Sequence, residues 1–156
     1  MLARAKIPAS KIILLVEDNL DDEHITLRAL RRNNVMNEVV VAIDGAQALD
    51  YLFGTGPYAG RDTGQMPSLI ILDLKLPGMS GLDVLKRIRS TESTQFIPVA
   101  VLTSSSEDLK VKESYSNGAN TFIVKPTDPQ EYSEMVLQVA MYWLLLNRAA
   151  PQGQLL

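Results

Sequence analysis

The chain has 156 residues, 46% of them hydrophobic, which suffices for one core and falls short of two ordinary domains; a single domain over residues 1–156, with its core at about 11–147, is expected. The formal net charge of -3, with Lys and Arg spread along the chain, offers no electrostatic basis for nucleic-acid binding, and the lack of cysteine excludes disulfides, thiol nucleophiles and thiolate metal sites, as suits a reducing cytoplasm. The apolar stretch Ile12 to Val16 is too short for a signal-peptide core, and the longest apolar run, Val139 to Leu146, is far below the roughly 20 residues of a membrane span.

Taken in chain order, strand-like runs alternate with helix-like segments, the pattern of an α/β fold with a parallel sheet. Ile12 to Val16 is a continuous apolar run, as strands buried on both faces are. Asn19 or Asp21 then caps a helix with apolar positions Ile25, Leu27, Ala29 and Leu30, which stops at Asn33-Asn34; Arg28, Arg31 and Arg32 form its solvated face. Val39 to Ile43 is the second strand, Asp44-Gly45 turns into a helix from Ala46 to Phe53, and Gly54 ends it. Gly54 to Pro67 is a long, glycine-rich connection to the third strand, Leu69 to Leu72. Leu82, Leu85 and Ile88 mark the third helix, with Asp83, Lys86 and Arg87 outside. Pro98 opens a fourth strand to Leu102, Glu107 to Ser116 is the fourth helix, Phe122 to Val124 the core of the fifth strand, and Asp128 to Asn147 the last helix. Only about ten residues follow, so no output domain is expected.

Glu17-Asp18, Asp73, Thr103 and Lys125 each stand at or just past the end of one of these strands. The carboxyl ends of parallel strands share one edge, where ligands bind, so the five side chains are predicted to meet. Any one alone is ordinary, since acids and threonines often begin turns and caps; five in the order that one reaction needs are not. Clustered carboxylates call for a cation, and an all-oxygen set selects a hard ion such as Mg2+. With Lys125 and the Thr103 hydroxyl they outline a phosphoryl site, in which Asp73 is the best placed nucleophile.

Through Val16-Glu17-Asp18, Ile71-Leu72-Asp73-Leu74, Pro77-Gly78-Met79-Ser80-Gly81, Leu102-Thr103-Ser104, Gly118-Ala119 and Val124-Lys125-Pro126, the chain resembles the CheY-like receiver domains of two-component response regulators, from Ile12 to about Leu146. The resemblance implies a doubly wound, flavodoxin-like parallel sheet of order 2-1-3-4-5. It implies Asp73 as phosphoacceptor for a histidine kinase, Mg2+ on Glu17, Asp18, Asp73 and the backbone carbonyl of Lys75, and Thr103 and Lys125 holding the phosphoryl group, with Ser104 and Ser105 adjacent. It further implies a cis Lys125–Pro126 bond and a switch in which Thr103 and Phe122 move together. The long 54–67 connection and the Tyr142-Trp143-Leu144 end of the last helix make the chain similar to the small stand-alone regulators that partner cyanobacterial and other bacterial phytochromes. That helix end is apolar all round, which points to a homodimer.

Other classes fit less well. An aspartate-nucleophile phosphatase needs a second acid two residues after the first, where this chain has Lys75, and a pseudo-receiver lacks at least one of the acids, the hydroxyl or the lysine. An intermediate carrier in a phosphorelay is a further alternative. His24 lies on a helix among acids and reads as a solvent-facing histidine rather than a phosphate carrier; Gly54 to Gly60 follows a helix and has the wrong spacing for a dinucleotide loop.

Overall fold

A computed structural model describes residues 10–33, 35, 37–104 and 107–151. Five parallel strands, β1 (Ile13–Val16), β2 (Val39–Ala42), β3 (Leu69–Leu72), β4 (Val99–Thr103) and β5 (Thr121–Val124), form one sheet of order β2-β1-β3-β4-β5. Ile13 pairs with Val39 on one side and with Leu69 on the other, which brings the ends of β1 and β3, and the acids that follow them, side by side. Thr103 pairs with Val124, which sets Lys125 one residue beyond the end of β4.

Because β1 and β3 are buried on both faces, alternate residues feed two cores. Leu14, Val16, Ile70 and Leu72 pack with Leu52, Val84, Leu85 and Ile88 under α2 (Gly45–Phe53) and α3 (Gly81–Ser90). Ile13, Leu15, Leu69 and Ile71 pack with Ala29, Leu30, Val136 and Ala140 under α1 (Leu20–Arg32) and α5 (Pro129–Met141). α4 (Asp108–Ser116) lies beside α3 and β5. Each fully buried aliphatic side chain contributes about 1.5–3 kcal/mol, and this is the scaffold that fixes the strand ends.

Of the two caps expected for the first helix, Asn19 is the one used, and Asp44, Ser80 and Asp128 cap later helices in the same way, each accepting a backbone N–H from the first turn. Gly54, at φ 66°, closes α2 in the left-handed conformation that side-chain-bearing residues avoid. Arg28, Arg31 and Arg32 are exposed, as is His24. The 54–67 connection is ordered around Arg61, which donates to the carbonyls of Tyr51, Leu52, Asp62 and Gln65 while stacking 4.1 Å from the centre of the Tyr51 ring.

Two expectations are corrected. The last helix does not stay α-helical to Asn147: α5 ends at Met141 and Tyr142–Leu146 form a π-helical turn, in which Leu144 is buried, its carbonyl accepting from Lys11 Nζ. The wider turn seats Leu144 on the α1/α5 core while Tyr142 and Leu146 stay exposed. The Lys125–Pro126 peptide is trans, not cis; no cis bond occurs among the described residues. An X–Pro bond keeps a trans preference of about 0.5–1 kcal/mol, and the trans chain already brings Lys125 to the acids and Asp128 to the cap of α5.

Candidate functional site

At the carboxyl edge of the sheet, Glu17 and Asp18 follow β1, Asp73 follows β3, Thr103 ends β4 and Lys125 follows β5. The Lys125 ammonium sits at their centre, 2.6 Å from Glu17 Oε1, 2.8 Å from Asp73 Oδ2 and 2.8 Å from Asp22 Oδ2. Its side chain is only 9% exposed, so carboxylates rather than water satisfy its three N–H donors. The other Asp73 oxygen accepts the Lys75 N–H at 3.1 Å. Asp73 is thus oriented through both oxygens, one by the backbone and one by a charge.

Electrostatics here are set by burial and by like charges in contact. Loss of water pushes the Glu17 carboxyl up to about 7; the Lys125 hydrogen bond opposes the rise and the neighbouring Asp73 adds to it. For Lys125, burial disfavours the charge, but the hydrogen bonds to Asp22, Asp73 and Glu17 together outweigh it and hold the ammonium well above the ordinary lysine range. Tyr132, on α5, is pushed up to about 12 by burial.

One carboxylate oxygen each from Glu17, Asp18 and Asp73 lies within 4.8 Å of the others. Three hard oxygen donors with no imidazole or thiolate suit Mg2+ or Mn2+, which take carboxylates and leave positions for phosphate oxygens. Asp18 is exposed on the open side of this cluster, facing a cleft lined by Asp18, Asp22, Asp73, Lys75, Ser104 and Lys125.

Thr103 is fully buried, and its carbonyl accepts the Lys125 N–H at 2.8 Å. Phe122, paired with Val101, is half-buried against the α2/α3 core. Ser105 lies outside the described residues. Tyr142 and Trp143, in the π-helical turn that follows α5, pack edge-to-face with ring centres 4.9 Å apart.

Sequence reasoning gave no role to Asp22, yet its carboxylate reaches Lys125. The available signal was its spacing: four residues after Asp18 and three after the Asn19 cap, it stands in the first turn of α1, at the cleft. Gly81 is a second such residue. A Cβ there would lie 2.3 Å from the Asp73 carbonyl oxygen and 2.6 Å from Leu74 Cα, so only glycine lets α3 start against the backbone that carries Asp73.

A five-stranded doubly wound sheet with three acids, a strand-end threonine and a lysine on its carboxyl edge defines a receiver. Residues 13–137 match the response regulator receiver domain model, and the chain belongs to that family. It is 37% identical over 138 residues, 88% of this chain and 86% of the relative, to the probable methanogenesis regulatory protein FilR2 of Methanothrix harundinacea. It is similar also to the solved structure of the phosphorylated cyanobacterial phytochrome response regulator RcpA, with 35% identity, a TM-score of 0.84, and 90% of this chain and 99% of that one covered. The Mn2+-bound form of response regulator Rcp1, a name borne by a protein of Synechocystis sp., matches at 31% identity and a TM-score of 0.82 over 90% of this chain and 99% of that one. The protein is therefore a two-component response regulator of CheY-like fold, with phytochrome response regulators among its homologues. Among the described residues, no helix is long and apolar enough to cross a membrane.

Proposed function

We propose that the protein receives a phosphoryl group from the phosphohistidine of a sensor kinase on Asp73 and thereby changes the surface it offers to a partner protein. One observation carries this reading: Asp73 is held by the Lys75 N–H on one oxygen and by Lys125 on the other, at the edge of an open cleft. In the transfer, an Asp73 oxygen attacks phosphorus, the P–N bond breaks, and the imidazole nitrogen keeps the bonding pair and takes a proton. Lys125 keeps a positive charge beside the oxygens that become more negative, and it moves from carboxylate to phosphoryl oxygen without leaving the site. Glu17, Asp18, Asp73 and the Lys75 carbonyl would hold Mg2+, which when bound neutralises charge on the phosphoryl oxygens.

Thr103 donates to the phosphoryl group by moving out of its buried position, and half-buried Phe122 turns into the space it leaves. Phe122 has no hydroxyl, so this inward state gains packing and no hydrogen bond. The site's own chemistry is limited to this transfer and to hydrolysis of the acyl phosphate, whose lifetime is tuned by Lys75 and Ser105. The resemblance to phytochrome regulators supports a phytochrome-type histidine kinase as donor. Exposed Tyr142 and Leu146 on the last turn, with exposed Val124 on β5, support a homodimer through that face, which light scattering tests. A single domain acting in the cytoplasm fits this reading.

The test is intact-mass measurement after incubation with Mg2+ and a small phosphodonor. One phosphoryl group on the parent and none on Asp73→Asn is the expected result. No adduct on the parent, or an equal adduct on the variant, overturns the assignment of Asp73.

A further inference from the structure

Lys125 has three N–H donors, and all three are spent on carboxylates: Glu17 at 2.6 Å, Asp22 at 2.8 Å and Asp73 at 2.8 Å. Two of these partners, Glu17 and Asp73, belong to the cluster suited to a divalent cation; Asp22 does not. An oxygen engaged by a cation is a poorer acceptor, and the cation repels the ammonium. With 9% of its side chain exposed, Lys125 gains little from water in exchange. Asp22 comes from a different element, is more exposed at 24%, and is fixed independently of the cluster. Its N–H donates to Asn19 Oδ1 at 3.0 Å and its carbonyl accepts from Thr26 Oγ1 at 2.9 Å, within the first turn of α1, where the helix dipole favours a carboxylate.

The geometry points to Asp22 as a positioning residue that holds Lys125 aside when a divalent cation takes Glu17 and Asp73, and so sets how tightly the acid cluster binds that cation. This rests on the receiver reading of the cluster. Without the Asp22 charge, the ammonium settles on the very oxygens that the cation needs, and the cation competes against a stronger rival. With it, Lys125 stays paired beside Asp73 while the cluster is filled.

The experiment is calorimetric titration of the full chain with MgCl2 at physiological ionic strength, on the parent, Asp22→Asn, Lys125→Met and the double variant, each checked for fold by circular dichroism. Asp22→Ala is the second variant should Asp22→Asn show a fold defect. Loss of Asp22 is expected to weaken Mg2+ binding by about tenfold in the parent, the scale seen when groups that orient metal ligands are removed. In Lys125→Met, where there is no ammonium to hold, the same loss is expected to cost far less. Equal weakening in both backgrounds means that Asp22 acts only as a distant negative charge and overturns the inference. No weakening in the parent background overturns it too, while leaving the receiver reading intact. A parent that binds no Mg2+ overturns that reading of the cluster, and this inference with it.

Discussion

Two basic side chains close the two ends of the sheet, and they do so in opposite ways. At the carboxyl edge, the Lys125 ammonium faces three carboxylates from two other parts of the chain, all within hydrogen-bond reach. At the amino edge, Arg89 on α3 donates to neutral acceptors: the carbonyls of Gly118, Gln95 and Ile97 and the side-chain oxygen of Asn120, which itself caps the Val99 N–H. Burial lowers the Arg89 pKa, whereas the acids around Lys125 raise its own. A planar fork on fixed carbonyls is a clamp that serves one conformation. A compact ammonium among several anions can exchange one partner for another, which is what phosphoryl capture requires. Two ends of one sheet thus use like charges for permanence and for change.

The sharpest way to break this contrast is Lys125→Met. Phosphoryl transfer to Asp73 is expected to slow by about 10²–10³-fold, the usual cost of removing a preorganised donor, as followed by intact mass over time. Arg89→Met is the counterpart. It leaves several carbonyls at the far edge without donors and is expected to cost about 2–4 kcal/mol in urea unfolding, with the transfer rate at Asp73 unchanged. A slowed rate in that variant would mean that the two ends are coupled. Gly81→Ala sits between the two cases, because its new methyl group strikes the Asp73 backbone; about 1–3 kcal/mol of stability and part of the transfer rate are expected to go together, measured by the same two assays. Thr103→Ala is expected to change acceptance least. It should still be phosphorylated, while NMR chemical-shift changes along α4 and β5 shrink; an unchanged response would remove Thr103 from the switch.

What could be read from the sequence follows the same division. Asp73, Lys125 and the Glu17-Asp18 pair were legible because a strand end is marked by the apolar run before it, and a parallel sheet gathers such ends on one edge. The helix starts at Asn19, Asp44 and Asp128 were legible because the chemistry of a cap or turn is spent within three residues, though the sequence left Asn19 and Asp21 both open for the first. Asp22 was not, since it reaches Lys125 from a helix, across 103 positions, through the packing of α1 beside α5. Nor was the burial of Thr103, which depends on how the elements around it close over the end of β4. The π-helical turn escaped because an apolar run specifies that side chains be buried, not the helical pitch that seats Leu144.

The Arg61 clip in the 54–67 connection has a practical side. Its hydrogen bonds run to main-chain carbonyls, so the clip itself does not depend on the side chains of the residues that accept them. Ala59 is an exposed position in that loop, at the end of the sheet away from Asp73, in a chain with no native thiol. A single cysteine placed there gives a fluorophore or spin label one address, from which motion at the opposite end can be watched without touching the chemistry that causes it.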